Sequence, residues 1–103
     1  MATTPAYIVA HLRVTDAEAF ESYRAQVPDV IRRHGGRYRI RGGRAYPLEG
    51  DWPVERLVVL EFESVEAARA FYDSPDYQRL IPLRQAGAEG TLAIVEGVPP
   101  ESA

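Results

Sequence analysis

The chain predicts an α+β fold with the element order βαββαβ, and three observations carry that expectation. Residues 6–14 and 54–62 are apolar, β-branched runs of strand length. Two other stretches, opening at Thr15 and Ser64, place their apolar residues at helical spacing. The length of 103 residues suits one domain over 1–103, with an ordered core from about 6 to 97 and a flexible tail over 98–103. Right-handed crossovers in the two βαβ halves give a four-stranded antiparallel sheet of order 4-1-3-2. Both helices then lie on one face, which is the ferredoxin-like arrangement.

Each element has a local reason. The first strand spans 6–14. Thr15 and Glu18 match a capping box at the start of the first helix. Phe20, Tyr23, Val27, Val30, Ile31 and His34 form its apolar face. Pro28 lies inside this helix and is expected to kink or split it. Gly35 suits the cap, with Arg32 and Arg33 in the last turn. The second strand, 37–41, carries Arg37, Arg39 and Arg41 on one side and Tyr38 and Ile40 on the other. A turn-rich segment over 42–53 leads to the third strand, 54–62. Ser64 caps a second helix carrying Val65, Ala68, Phe71 and Tyr72. Ser74-Pro75 restarts it, and Tyr77, Leu80, Ile81 and Arg84 continue its face, with a break at Pro82. A loop over 87–90 precedes the fourth strand, 91–97.

Alternation then assigns the two sheet faces. Ile8, Ala10, Leu12, Val58, Leu60, Phe62, Tyr38, Ile40, Ala93 and Val95 are expected beneath the helices. Tyr7, Val9, His11, Arg39, Leu57, Val59, Glu61, Leu92, Ile94 and Glu96 are expected on the open face. The middle row there reads Arg39, Val59, Val9, Ile94, and an outer row reads Arg37, Glu61, Tyr7, Glu96. Large apolar groups left in water mark an interaction surface, each worth roughly 1.5–3 kcal/mol on burial. The expected solution is a homodimer that packs sheet against sheet about a two-fold axis. Tyr7, Val9, Arg39, Val59, Glu61, Ile94 and Glu96 form its interface. The arginines and glutamates have two readings there, structural ion pairs at a rim or an anion site.

Composition removes several chemistries. The chain has no cysteine, so disulfide, thiolate and iron–sulfur chemistry are excluded. It has no lysine, so Schiff-base chemistry is excluded. All 12 basic residues are arginine, and the net charge is −3. That balance disfavours nucleic-acid binding, although six arginines crowd into 32–44 and keep it as the weaker alternative. No apolar run is long enough to span a bilayer, and the N-terminal segment lacks the pattern of a secretion signal, so a cytoplasmic location is expected. The Gly35-Gly36 pair follows a helix, so no helix N-terminus is presented to a phosphate. No serine sits in a nucleophile elbow, and no metal is expected, since no HExxH pattern is present.

The remaining candidates are polar side chains near the helices. Tyr23, Arg41, Tyr77 and Arg84 are expected to converge between helices and sheet, where hydroxyls and guanidinium groups bind a small carboxylate or enolate. The competing reading makes them core tyrosines and solvated arginines. Alternation places Arg41 away from the helices, and the bend at Gly42-Gly43 is what redirects it. His11 and His34 are candidate acid–base groups with Tyr77, beside structural roles at a strand end and a helix terminus. Trp52 is expected to serve as an interface or lid residue.

Taken in order, several segments resemble an uncharacterised bacterial family, domain of unknown function 1330, of the dimeric α+β-barrel superfamily. They are Tyr7-Ile8-Val9, Thr15-Asp16 with Tyr23, His34-Gly35-Gly36-Arg37, Arg41-Gly42-Gly43, and Leu48-Glu49-Gly50 with Trp52. Glu61-Phe62, Ser74-Pro75-Asp76-Tyr77 and Arg84 complete the set. The resemblance implies a ferredoxin-like protomer paired sheet to sheet and implies no assigned reaction. Arg39 departs from the pattern, where an aliphatic residue is expected. Related superfamily members include cofactor-free monooxygenases, haem-degrading enzymes and muconolactone isomerase-like proteins. The haem-degrading pattern needs an asparagine, and this chain has none. The expectation is therefore a homodimer that binds a small organic anion or aromatic metabolite without a cofactor. It acts either as a monooxygenase- or isomerase-like enzyme or as a non-catalytic binding or regulatory module.

Overall fold

The structure, a computed structural model, describes residues 3–100. Residues 1–2 and positions 101–103 of the expected tail lie outside the described residues. The chain runs β1 (Ala6–Val14), α1 (Ala17–Arg33), β2 (Arg37–Arg41), β3 (Arg56–Phe62), α2 (Val65–Asp73), α3 (Pro75–Gln78), α4 (Ile81–Gly87), β4 (Ala88–Glu96). The sheet is antiparallel and ordered β2-β3-β1-β4. This is the expected ferredoxin-like topology.

The caps explain where the helices begin and end. Asp16, not Thr15, is the N-cap of α1, and its carboxylate accepts from the Ala19 N–H at 3.1 Å. The Thr15 N–H instead donates to the Gly87 carbonyl, so this residue belongs to the chain entry. At the other end Gly36 N–H donates to the Ile31 carbonyl and Gly35 N–H to that of Arg32, with Gly35 at φ +80. This paired closure needs a left-handed residue, which glycine supplies at little cost. Pro28 does not split α1. The missing N–H costs one bond to the carbonyl of exposed Arg24, while Phe20 and Val27 before it and Val30 and Ile31 after it stay buried. Ser64 and Ser74 cap α2 and α3 as expected. The second helical segment breaks at Arg79-Leu80, earlier than expected, and Pro82 sits in the first turn of α4, where it displaces no helical bond.

The expected loop over 87–90 is absent. Gly87 ends α4 and β4 begins at once with Ala88, pairing all the way to Val14 of β1. The glycine there serves close approach, because a Cβ on Gly90 would collide with the carbonyl oxygen of His11. The third strand starts at Arg56, since Val54 has no partner in the sheet.

Two face assignments change. Ile8 pairs with Ile94 and Ala10 with Leu92, so Leu92 and Ile94 lie under the helices and pack on the core. Ala93 and Val95 take the open face, opposite Val9 and Tyr7. Ile94 and Glu96, expected on the open face, therefore lie on the helix side, opposite Ile8 and Ala6. The second change is a bulge in β2. Tyr38 pairs with Leu60 and Ile40 with Val59, so Arg39 is the extra residue. Everything after it is turned over: Ile40 moves to the open face and Arg41 to the helix face. The open middle row is thus Ile40, Val59, Val9, Ala93, wholly apolar. Ile40 takes the place opposite Val59 that plain alternation gave to Arg39. Arg39 bends back to donate to the Glu61 carboxylate at 2.6 Å. The outer row is Arg37, Glu61, Tyr7, Val95.

Candidate functional site

Between α1 and the sheet lies a narrow cavity of about 50 Å³. By the rule that one water needs ~10–15 Å³, it holds several waters or the head of a small molecule. Its apolar walls come from residues such as Ile8, Val27, Leu60 and Leu92, which the core elements present inward. Its polar lining is unusual for its sign. Arg24, Arg41, Arg56 and Arg84 all face it, with Tyr23 and Tyr38, and no carboxylate does.

Each side chain arrives there for a structural reason. Tyr23 lies one helical turn from Phe20 and Val27 on the inner face of α1. The bulge at Arg39 turns Arg41 inward, where its guanidinium lies 4.4 Å from the centre of the Tyr38 ring, a cation–π contact. Arg56 shares the alternation of Val58, Leu60 and Phe62, so it must point to the helices. Its guanidinium packs over Gly42, where a side chain would otherwise stand. Arg84 lies on α4 and is only 9% exposed.

Arg84 is the least ordinary of these groups. Its Nη1 donates to the Tyr77 hydroxyl at 2.7 Å, and the Tyr77 hydroxyl is 2.9 Å from that of Tyr23. Among the described residues no carboxylate reaches ion-pair distance of Arg41, Arg56 or Arg84. Arg24 alone of the four has one, Glu21 at 3.5 Å. Arg41 is exposed and Arg56 half-buried, but Arg84 is buried, and a desolvated cation without an anion is costly unless something compensates. Arg56 adds a buried Nε with no hydrogen-bond partner.

Protonation states follow from this surrounding. Burial first, and then the neighbouring Tyr77, hold the Tyr23 hydroxyl protonated far above its ordinary range. Burial also raises Tyr38, against the pull of Arg41 and Arg56. Burial lowers Arg56, and the positive charges of Arg24 and Arg41 act in the same direction. Tyr23 has a measurable consequence. Its unfolded form loses the proton near pH 10.0, while the folded form keeps it to higher pH. Stability from this group is therefore fully present below pH ~10 and falls above it by up to about 1.4 kcal/mol per pH unit. Urea unfolding of the wild type and Tyr23→Phe across that range tests it. Parallel stability profiles for the two proteins would contradict the assignment.

The other sequence candidates lie elsewhere. His34 closes α1 with its backbone, sets its ring 5.9 Å from that of Phe71, and places Nε2 3.6 Å from Asp76. It joins helices and does not line the cavity. His11 is exposed on the open face. Tyr77 is 2% exposed and stands behind the cavity wall, bonded to Tyr23 and Arg84 that line it. Trp52 is half exposed in the loop between β2 and β3, over a depression edged by Ile40 and Leu57. No three His, Cys, Asp or Glu side chains come close enough to hold a metal among the described residues. The arginines of 32–44 do not form one basic patch. Arg32 pairs with Asp29, Arg33 with Asp76 and Arg39 with Glu61, while Arg41 faces inward. Sequence reasoning missed Arg24, Tyr38 and Arg56. The alternation of β3 was a usable signal for Arg56.

Comparison with known proteins agrees with this architecture. The family described as domain of unknown function (DUF1330) matches residues 5–98. A Rhodopseudomonas palustris protein of unknown function superposes with a TM-score of 0.74 at 23% identity, over 94% of this chain and 85% of its own. SnoaB, a cofactor-independent oxygenase from Streptomyces nogalater, gives 0.63 at 14% identity, over 94% and 96%. A conserved protein from Methanosarcina mazei gives 0.57 at 15% identity, over 93% and 95%. These likenesses establish the shared fold. No match is found among curated proteins. No helix among the described residues is long and apolar enough to cross a membrane.

Proposed function

The chain belongs to the DUF1330 family, and from that premise we propose that it is a cytoplasmic homodimer whose arginine-lined cavity binds a small organic anion. One observation carries the reading. The buried Arg84 guanidinium and its neighbours Arg41 and Arg56 have no carboxylate partner, so the cavity offers concentrated positive charge in a chain of net charge −3. A ligand carboxylate or enolate supplies the missing anion, and charge-assisted hydrogen bonds to guanidinium are the strong kind. The apolar walls suit a compact hydrocarbon or aromatic body. Dimerisation covers the apolar middle row of the open face and leaves the cavity, on the opposite side of the sheet, intact.

Replacing Arg84 by methionine separates binding from folding. Arg84→Met removes an unpaired buried charge and keeps the packing volume. Stability is expected to stay within about 1 kcal/mol of wild type or to rise, because loss of one hydrogen bond is offset by relief of desolvation. Affinity for small carboxylates and phenolates, screened by ligand-observed NMR, is expected to fall by at least ~10-fold. A wild type that binds none of them, or a variant that binds as well as wild type, refutes the reading.

A second reading, cofactor-free catalysis on the bound anion, is favoured by the donors themselves. Tyr23 and the arginines line one cavity as donors that can stabilise negative charge on an enolate or oxyanion, which is how preorganised sites lower barriers. SnoaB, which shares the fold, is described as a cofactor-independent oxygenase. Turnover of a bound carboxylate or phenol that disappears in Arg84→Met separates an enzyme from a purely binding module.

A further inference from the structure

The cavity's hydrogen bonds have a direction that can be worked out atom by atom. A guanidinium only donates, so Arg84 Nη1 gives its proton to Tyr77 Oη. Tyr77 is buried, and its hydroxyl has one further partner, Tyr23 Oη. Were Tyr23 the donor in that pair, Tyr77 would accept twice and its own proton would be left in the core without an acceptor. Buried donors rarely remain so. Tyr77 therefore donates to Tyr23. Tyr23 Oη, now an acceptor from Tyr77, must send its own proton elsewhere. No other described side chain or backbone oxygen accepts it, and Tyr23 lines the cavity.

We infer that Arg84, Tyr77 and Tyr23 form a one-way donor chain ending on the ligand, and that the cavity selects a small molecule whose polar head only accepts hydrogen bonds. A carboxylate or an enolate fits that head, whereas an amide or an ammonium brings donors that meet the donors of Tyr23, Arg41 and Arg56, with the Tyr38 oxygen the one side-chain acceptor left on the lining. This rests on the anion-binding reading above and deepens it. Three further features agree. Arg41 and Arg56 add donors on the opposite wall. Arg56 Nε is a buried donor still without an acceptor. Tyr23 keeps its proton through the physiological range, since burial and Tyr77 both oppose ionisation. Tyr23 is thus the residue that touches the ligand oxygen, and Tyr77 is a positioning residue that orients it.

The test uses benzoate, benzamide and benzylamine, which differ in their polar heads, with affinities measured by titration calorimetry. Wild type is expected to bind benzoate at least ~10-fold more tightly than benzamide and to reject benzylamine. Tyr23→Phe, which keeps the ring and its packing, is expected to weaken benzoate by ~10-fold or more. Tyr77→Phe gives the readout that a structural role would not move. It frees the Tyr23 oxygen to accept, so the benzoate-to-benzamide ratio collapses toward one, whereas a loosened fold would weaken both ligands alike. Benzoate binding unchanged in Tyr23→Phe overturns the donor chain and leaves the anion site standing. A wild-type preference for benzamide or benzylamine overturns it as well. Wild type that fails to bind benzoate at about 10 mM removes both the chain and the anion reading.

Discussion

Gly90→Ala is expected to lower the melting temperature by roughly 15 °C, the largest stability loss among single-methyl changes in the sheet. β4 is an edge strand that pairs with β1 from Ala6↔Glu96 to Val14↔Ala88. Opposite Gly90, the backbone of β1 leaves no space for a side chain. A methyl group there overlaps the His11 carbonyl oxygen and comes within 3.1 Å of the Leu12 Cα. Backbone atoms in a paired ladder cannot rotate aside as a side-chain tip can. Relief requires β4 to move away from β1, which breaks several ladder hydrogen bonds and unseats Leu92, whose side chain packs on the core. Overpacking alone costs about 1–3 kcal/mol, and each lost internal bond adds about 1 kcal/mol. A stability margin of about 5–15 kcal/mol does not absorb much of this. Scanning calorimetry decides the matter. A drop smaller than about 4 °C would show that the strand pair opens there without penalty.

The second large effect concerns association. Val59→Arg is expected to abolish the proposed dimer at micromolar concentration. Val59 lies in the middle row of the open face beside Ile40, Val9 and Ala93. Ile40 and Val95 are 40% and 49% exposed in the isolated chain, which places hydrocarbon in water on the side that no helix covers. The outer row supplies complementary charge, with Arg37 opposite Glu61 and Arg39 bonded to it. In the proposed dimer a two-fold axis brings the same row against itself, so one substitution acts twice. Burying an unpaired guanidinium in each copy, with like charges near the axis, costs several kcal/mol and weakens association roughly a thousandfold. The fold should survive, because the substituted side chain points away from the core. Sedimentation equilibrium of both proteins tests this. A wild type that remains monomeric at tens of micromolar would remove the dimer from the proposed function.

These two expectations rest on different levels of information. The apolar face was visible in the strand alternation of β1 and β3, where hydrophobic and polar residues differ clearly from one position to the next. Tyr7, Val9, Val59 and Glu61 lie on the face the sequence assigned to them. β4 was ambiguous for a physical reason. Leu92, Ala93, Ile94 and Val95 are all apolar, so a period of two has no contrast from which to choose a face. Only pairing with Ile8 and Ala10 on β1 makes the choice. The caps at Ser64 and Ser74 were legible because capping chemistry is local, within three residues of the cap.

The site divides in the same way. Tyr23 and Arg84 were readable from helical spacing on α1 and α4, and both line the cavity. Tyr77 was expected to line the pocket but stands behind the cavity wall, bonded to Tyr23. His11 and His34 were chemically plausible and spatially remote, because the reactivity of a residue type says nothing about which wall it occupies. Arg41 is the instructive case. Its inward direction depends on one extra residue in β2, and a bulge leaves no mark in the order of side chains.

By itself, then, the order of residues determined the element sequence, the sheet order and the apolar faces of β1, β3 and the helices. Each follows from periodicity or chemistry that acts over a few neighbouring residues. Tertiary structure alone decided the face of β4, the bulge at Arg39 and the meeting of four arginines around a cavity that no carboxylate lines. Those features depend on which strand lies alongside and in what register, and that is settled by contacts between residues far apart in the chain.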